Sequence, residues 1–97
     1  MSDLLFKTDN DISELETGKY ALFYNDYYSD DKVLKLSSSL KDIGKVFNCQ
    51  IKNKTKVLIL SEPIKANHDV FGPILVSKIL ADKIMFAATH HLFLINE

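Results

Sequence analysis

The clearest pattern in this chain is the recurrence of Val33, Leu36, Leu40, Ile43 and Phe47 at intervals of 3, 4, 3 and 4. That spacing keeps the apolar side chains on one face of a 3.6-residue period and predicts an amphipathic helix over about 30–48. Gly44 costs such a helix about 1 kcal/mol relative to Ala, which a packed face can absorb. A second helix is expected from Gly72-Pro73 to about residue 82, because proline is tolerated in a first helical turn; it would bury Ile74, Leu75, Ile79 and Leu80. A short third helix is expected over about 9–16. There Thr8 and Asp11 match a capping box, Ile12 and Leu15 share a face, and Gly18 is placed to end the element.

The remaining apolar runs have strand character. Leu4 to Phe6 is a short candidate, and Lys19 to Asn25 is aromatic-rich and runs into the polar loop NDYYSDD. Lys56 to Ser61 is a continuous apolar run of the kind covered on both faces. Lys83 to Ala88 and Leu92 to Ile95 read as two closing strands joined around Thr89-His90-His91. Together these elements predict an α+β domain: a mixed or antiparallel sheet of about five strands, two main helices and a short N-terminal one.

Composition narrows the class. Ninety-seven residues, 46% hydrophobic, with three Gly and two Pro, suit one domain over 1–97 with its own core and no linker or repeat. No apolar run approaches the roughly 20 residues of a membrane-spanning helix. The MSDLLFK start has no leader pattern, and the lone Cys49 has no internal disulfide partner. A monomer in the cytoplasm of a bacterial host cell is the expectation.

Charge changes the picture. The net −1 hides eight acids and two lysines in residues 1–31, a balance of −6, against ten lysines and five acids in 32–97, a balance of +5. Such asymmetry points to an electrostatic partner and says nothing about fold. All twelve basic residues are Lys, and the absence of Arg argues against direct readout of nucleic acid.

Candidate chemistry is sparse. His68, His90, His91 and Cys49 lack the spacing of a metal site, so structural or solvated histidines are expected, with no metal and no cofactor. Cys49, at the end of the long helix, reads as a buried or idle thiol with no nucleophile signature around it. Gly18, Gly44 and Gly72 are too far apart to cradle a phosphate, and the carboxylates lie in a polar segment where raised pKa values are not expected. No catalytic residues follow, and the chain reads as a binder. Lys52, Lys54 and Lys56 alternate and would share a strand face, protecting a sheet edge or holding a nucleic-acid backbone.

The acidic, tyrosine-rich third carries the binding expectation. Asp9, Asp11, Asp30 and Asp31 have an ordinary explanation as helix-start charges, with Asp31 also four residues before Lys35. Asp3, Glu14, Glu16 and Asp26 do not. Asp11 and Glu14 would line one flank of the Ile12/Leu15 stripe, and Asp9 and Glu16 the other. Rigidly held carboxylates can engage the Lys/Arg arrays that otherwise grip DNA. Tyr27 and Tyr28 would add the flat, amphipathic area found at interface hot spots.

In size, in the acidic stretches DNDISELE and NDYYSDD and in its lysine-only basic complement, the chain resembles a small type I-F anti-CRISPR protein of the DNA-mimic kind, encoded by phages or other mobile elements. The resemblance implies inhibition of a Cascade-type (Csy) CRISPR surveillance complex by occupying the lysine-rich site that grips target duplex DNA. The lysine-rich C-terminal two-thirds departs from a uniformly acidic mimic, so the whole surface would not imitate DNA. Two alternatives stay open: an immunity protein against a basic nuclease toxin, and a small lysine-rich nucleic-acid-binding module.

Overall fold

The computed structural model describes residues 16–95, and within them eight strands follow one another with no α-helix. They are β1 (Tyr20–Phe23), β2 (Val33–Leu36), β3 (Cys49–Lys52), β4 (Thr55–Ile59), β5 (Ile64–His68), β6 (Gly72–Leu80), β7 (Ile84–Ala88) and β8 (Leu92–Leu94). Among the described residues the only helical pieces are two single 3-10 turns, Leu40–Asp42 and Thr89–His91. Every strand pairing among the described residues is antiparallel. The expected α+β architecture is therefore wrong, and the domain is an antiparallel β structure.

The long β6 organises the main sheet. Its first half pairs with β5 and its end with β4, all along one edge, while β7 runs along the other edge; β4 continues to β1 and β8. A two-stranded sheet of β2 and β3 joins this body through one bridge, Ser37 to Phe86 of β7. β3 and β4 are linked by only Asn53 and Lys54, yet each pairs with a different strand, so the chain turns a corner there.

Two apolar clusters lie on opposite faces of β6 and β7. The larger contains Phe23, Ile51, Val57, Ile59, Ile79, Met85 and Leu92 with Ala21, Cys49 and Ala87. The smaller contains Ile43, Ala66, Val76 and Phe86, with Leu40, Ile64 and Ile74 against it. Ile79 faces one cluster and Val76 the other. This is why residues 72–80 do not alternate cleanly: a strand covered on both faces carries apolar residues throughout, and its periodicity cannot be told from that of a buried helix. The helix expected from Gly72-Pro73 to 82 is thus β6, with Gly72 at φ 77° closing the β5–β6 hairpin. Ile79 is fully buried, as expected, but Leu75 and Leu80 are exposed.

The helix expected over 30–48 is replaced by β2, the first 3-10 turn and an irregular segment leading into β3. Gly44 has φ 78°, outside the helical region. A Cβ there would meet the Asp69 backbone nitrogen at 2.7 Å and the His68 ring at 2.8 Å, so tertiary contact demands this glycine. Ser37 is buried and its hydroxyl lies within hydrogen-bond reach of the carbonyls of Asp42 (3.0 Å) and Val46, folding the segment back on itself. Of the five periodic residues Ile43 is buried, while Val33 and Phe47 are each half exposed.

The strands expected near 19–25, 56–61, 83–88 and 92–95 are present as β1, β4, β7 and β8. The expected strand 4–6 lies outside the described residues, as does the short helix 9–16 except for Glu16, which sits in a turn closed by Lys19 N–H to Glu16 O at 3.2 Å. Among the described residues no helix is long and apolar enough to cross a membrane.

Candidate functional site

The β1–β2 connection carries the polar sequence Asn25 to Lys32. It has no regular pairing, so its backbone groups need other partners. Asn53 supplies them. This side chain is 1% exposed; its Oδ1 accepts from Asn25 N–H at 2.8 Å and Lys54 N–H at 3.2 Å. Its Nδ2 faces the carbonyls of Asn25 (2.9 Å), Ser29 (3.0 Å) and Tyr28 (3.3 Å). Asn53 N–H also donates to Lys32 O at 2.8 Å, so both ends of the loop are fastened to one residue. Two turns complete it, Tyr28 N–H to Asn25 O at 3.2 Å and Lys32 N–H to Ser29 O at 3.1 Å.

On this frame Asp26, Tyr27, Tyr28, Asp30 and Asp31 are all exposed, Tyr27 at 83%. The rings of Tyr27 and Tyr28 meet edge to face at 5.0 Å. Lysines temper the acids. Asp30 is 3.2 Å from Lys54 Nζ, and Lys32 lies 5.6 Å from the Tyr28 ring. Asp31 accepts from the Ser29 hydroxyl at 3.0 Å. Asp30 and Asp31 start no helix, so the dipole explanation does not hold for them.

The structure therefore gathers half of the expected face into one loop. Glu16 is at the other end of β1, exposed and paired with Lys19 at 3.5 Å. Asp3, Asp9, Asp11 and Glu14 lie outside the described residues. Tyr20 and Tyr24 are also apart from the loop pair, with Lys56 4.6 Å over the Tyr20 ring and Lys54 5.7 Å over the Tyr24 ring. Lys52, Lys54 and Lys56 do not share a strand face, since β3 ends at Lys52, Lys54 turns the corner at φ 63° and Lys56 is in β4.

Beside the loop runs a groove the sequence pattern did not show, an open cavity of about 650 Å³. Ile74, Val76 and Phe86 line it from β6 and β7, Leu34 and Leu36 from β2, and Phe47 and Phe71 contribute aromatic side chains that are half or more exposed. Tyr28 and Asn25 of the loop line it too, together with His68, His90 and His91. His68 Nδ1 accepts from the N–H groups of Val70 (3.0 Å) and Phe71 (3.2 Å), and its ring lies 4.7 Å from that of Phe71.

His90 and His91 lie with ring centroids 4.0 Å apart. The His91 pKa is lowered to about 4, chiefly by burial and then by the charge of His90, with the Asp26 carboxylate opposing both. His91 is thus neutral near pH 7. Among the described residues no three His, Cys, Asp or Glu side chains gather closely enough to hold a metal ion. Cys49 is buried in the larger core cluster.

Asn53 had a sequence signal only as a turn residue between apolar runs. The groove had none, since it forms from β2, β6 and β7 and the turns near Gly44 and Phe71. Compared with protein-family models, curated proteins and solved structures, the chain matches none.

Proposed function

We propose that this chain is a protein-binding domain that acts by occupancy, engaging a basic, nucleic-acid-binding surface of another protein through the 25–31 loop and so competing with nucleic acid. The observation that carries the reading is the fastening of that loop by the buried Asn53, which presents Tyr27, Tyr28 and three carboxylates on a fixed backbone. A preorganised loop loses little conformational entropy on binding, and exposed tyrosines beside carboxylates suit lysine- and arginine-rich partners. A Cascade-type CRISPR surveillance complex is the partner the resemblance implies and the first to try.

The test is competition. Purified protein should block target-duplex binding by that complex in a gel shift. The triple variant Asp26→Lys, Tyr27→Ala, Asp31→Lys should weaken the block by 30-fold or more, in line with the roughly 2–5 kcal/mol lost when central desolvated pairs are broken. If the triple variant binds and inhibits like the wild type, the loop is not the interface.

One observation favours a second reading, direct nucleic-acid binding. Lys56 and Lys54 lie over the Tyr20 and Tyr24 rings, an arrangement of cations and aromatics able to track a backbone and stack bases. Retardation of single-stranded nucleic acid by the purified protein alone, lost in Tyr20→Ala with Lys56→Ala, would select it.

A further inference from the structure

We propose that the groove and the 25–31 loop are one continuous interface, and that its occupant is an extended segment of the partner protein carrying apolar anchor side chains next to lysine or arginine. The proposal rests on the loop being the partner-binding face, and it adds what the partner must bring.

Continuity is the first argument. Tyr28 and Asn25 belong to the fastened loop and line the groove as well, so a chain lying across the loop reaches the cavity. Shape is the second. Ser37, just beyond β2, bridges to Phe86 of β7, and the space bounded by Leu34, Leu36, Phe86 and Ala88 lies alongside these two strands. An extended segment follows such a slot, placing alternate side chains into it. At about 650 Å³ the cavity is within the range of roughly 300–1,000 Å³ typical of ligand sites.

Charge complementarity identifies the flanking residue. At the end where His90 and His91 sit, burial keeps His91 uncharged, and Asp26 is the carboxylate acting on it. Among the described residues Asp26 forms no salt bridge, whereas Asp30 is engaged by Lys54. A partner lysine or arginine at that end meets an available carboxylate and the Tyr27–Tyr28 pair. Lys35 is the lysine among the groove's lining residues, and it also borders a separate depression with Asn48, Gln50 and Asp82.

The probe is a labelled twelve-residue peptide with two central leucines followed by two arginines, titrated into the full chain by anisotropy and amide NMR. Two control peptides replace the leucines by serine or the arginines by glutamate. The leucine–arginine peptide should shift amides of Ile74, Val76, Phe86 and Ala88 along with those of 25–31, and each control should bind at least tenfold more weakly. Phe47→Ser with Phe71→Ser, both exposed positions, and separately Ala88→Trp should weaken it tenfold or more while the remaining amide spectrum stays dispersed.

Shifts confined to the loop and indifferent to the groove variants overturn the inference but leave the loop reading intact. Absence of any groove shift at millimolar peptide overturns it too. Equal binding of the glutamate peptide would show an unselective apolar site and also sink the proposal. The loop reading itself is decided separately, by the triple variant in the competition assay.

Discussion

Asn53 holds Asn25 by both backbone groups, its Oδ1 accepting the Asn25 N–H at 2.8 Å and its Nδ2 donating to the Asn25 carbonyl at 2.9 Å. The two residues are 28 apart in sequence. The contact ties the end of β1 to the corner between β3 and β4, and fixes where the tyrosine loop begins.

Asn53→Ala should leave the backbone of Asn25, Tyr28 and Ser29 without this partner. Each unsatisfied buried group costs about 1–3 kcal/mol, and water reaches part of this loop, so a loss of about 2–4 kcal/mol in denaturant unfolding is expected. Asn53→Asp, nearly isosteric, should be no better, since it sets a carboxylate against three carbonyls. A loss below about 0.5 kcal/mol in both would show that the loop holds itself.

Gly44→Ala combines a positive φ with a Cβ 2.7 Å from the Asp69 nitrogen and 2.8 Å from the His68 ring. The left-handed backbone costs a non-glycine residue about 1–2 kcal/mol and overpacking about 1–3 kcal/mol. The expected result is destabilisation by about 2–4 kcal/mol, with NMR shifts at His68 and Phe71. By contrast Gly18→Ala, at φ 92° but in open space, should cost only the conformational part.

Ser77 is fully buried, and its hydroxyl has no hydrogen-bond partner among the described residues. Removing an unsatisfied buried hydroxyl recovers a desolvation cost of about 1–3 kcal/mol, reduced by the small void left behind. Ser77→Ala should therefore match or exceed wild-type stability, by about 1 kcal/mol, in thermal and urea unfolding. A clear loss of stability would mean the hydroxyl is satisfied.

Acid should weaken the fold through His91. Its pKa is about 4 in the folded protein against 6.5 ordinarily, because burial, and then His90, disfavour its charge more than Asp26 favours it. Between those values the unfolded chain binds a proton that the folded chain does not. Stability is thus fully present above pH 6.5, declines as pH falls toward 4, and loses no more from this group below that. Allowing for partial exposure, the change is on the order of 2 kcal/mol. Urea unfolding of His91→Gln at pH 7, 5.5 and 4.5 should show a flatter dependence than wild type; an unchanged slope would assign the effect elsewhere.

Legibility followed how each strand is covered. Lys56 to Ser61 and the runs at 19–25, 83–88 and 92–95 were readable as strands, because turn residues bound short apolar stretches too brief for a helix. Within 33–47 the 3–4 spacing suggested a helix, but β2 pairs with β3, Ser37 is tied to the chain beyond it, and Gly44 adopts φ 78° against His68. Those are long-range contacts, and a local spacing rule has no access to them.

The sequence alone determined the polar, tyrosine-rich character of residues 25–31, the charge asymmetry, and the strand character of the runs at 19–25, 56–61, 83–88 and 92–95, since these follow from residue type and near neighbours. Tertiary structure decided the rest. It placed β6 and β7 between two apolar clusters, so that residues 72–80 are a strand despite an apolar pattern that also suits a helix. It buried Asn53 beneath the loop, separated Glu16 from Asp26, and opened a groove lined by residues of β2, β6 and β7. The physical reason is common to all of these: burial is a property of what lies across from a residue, and that partner is often dozens of positions away.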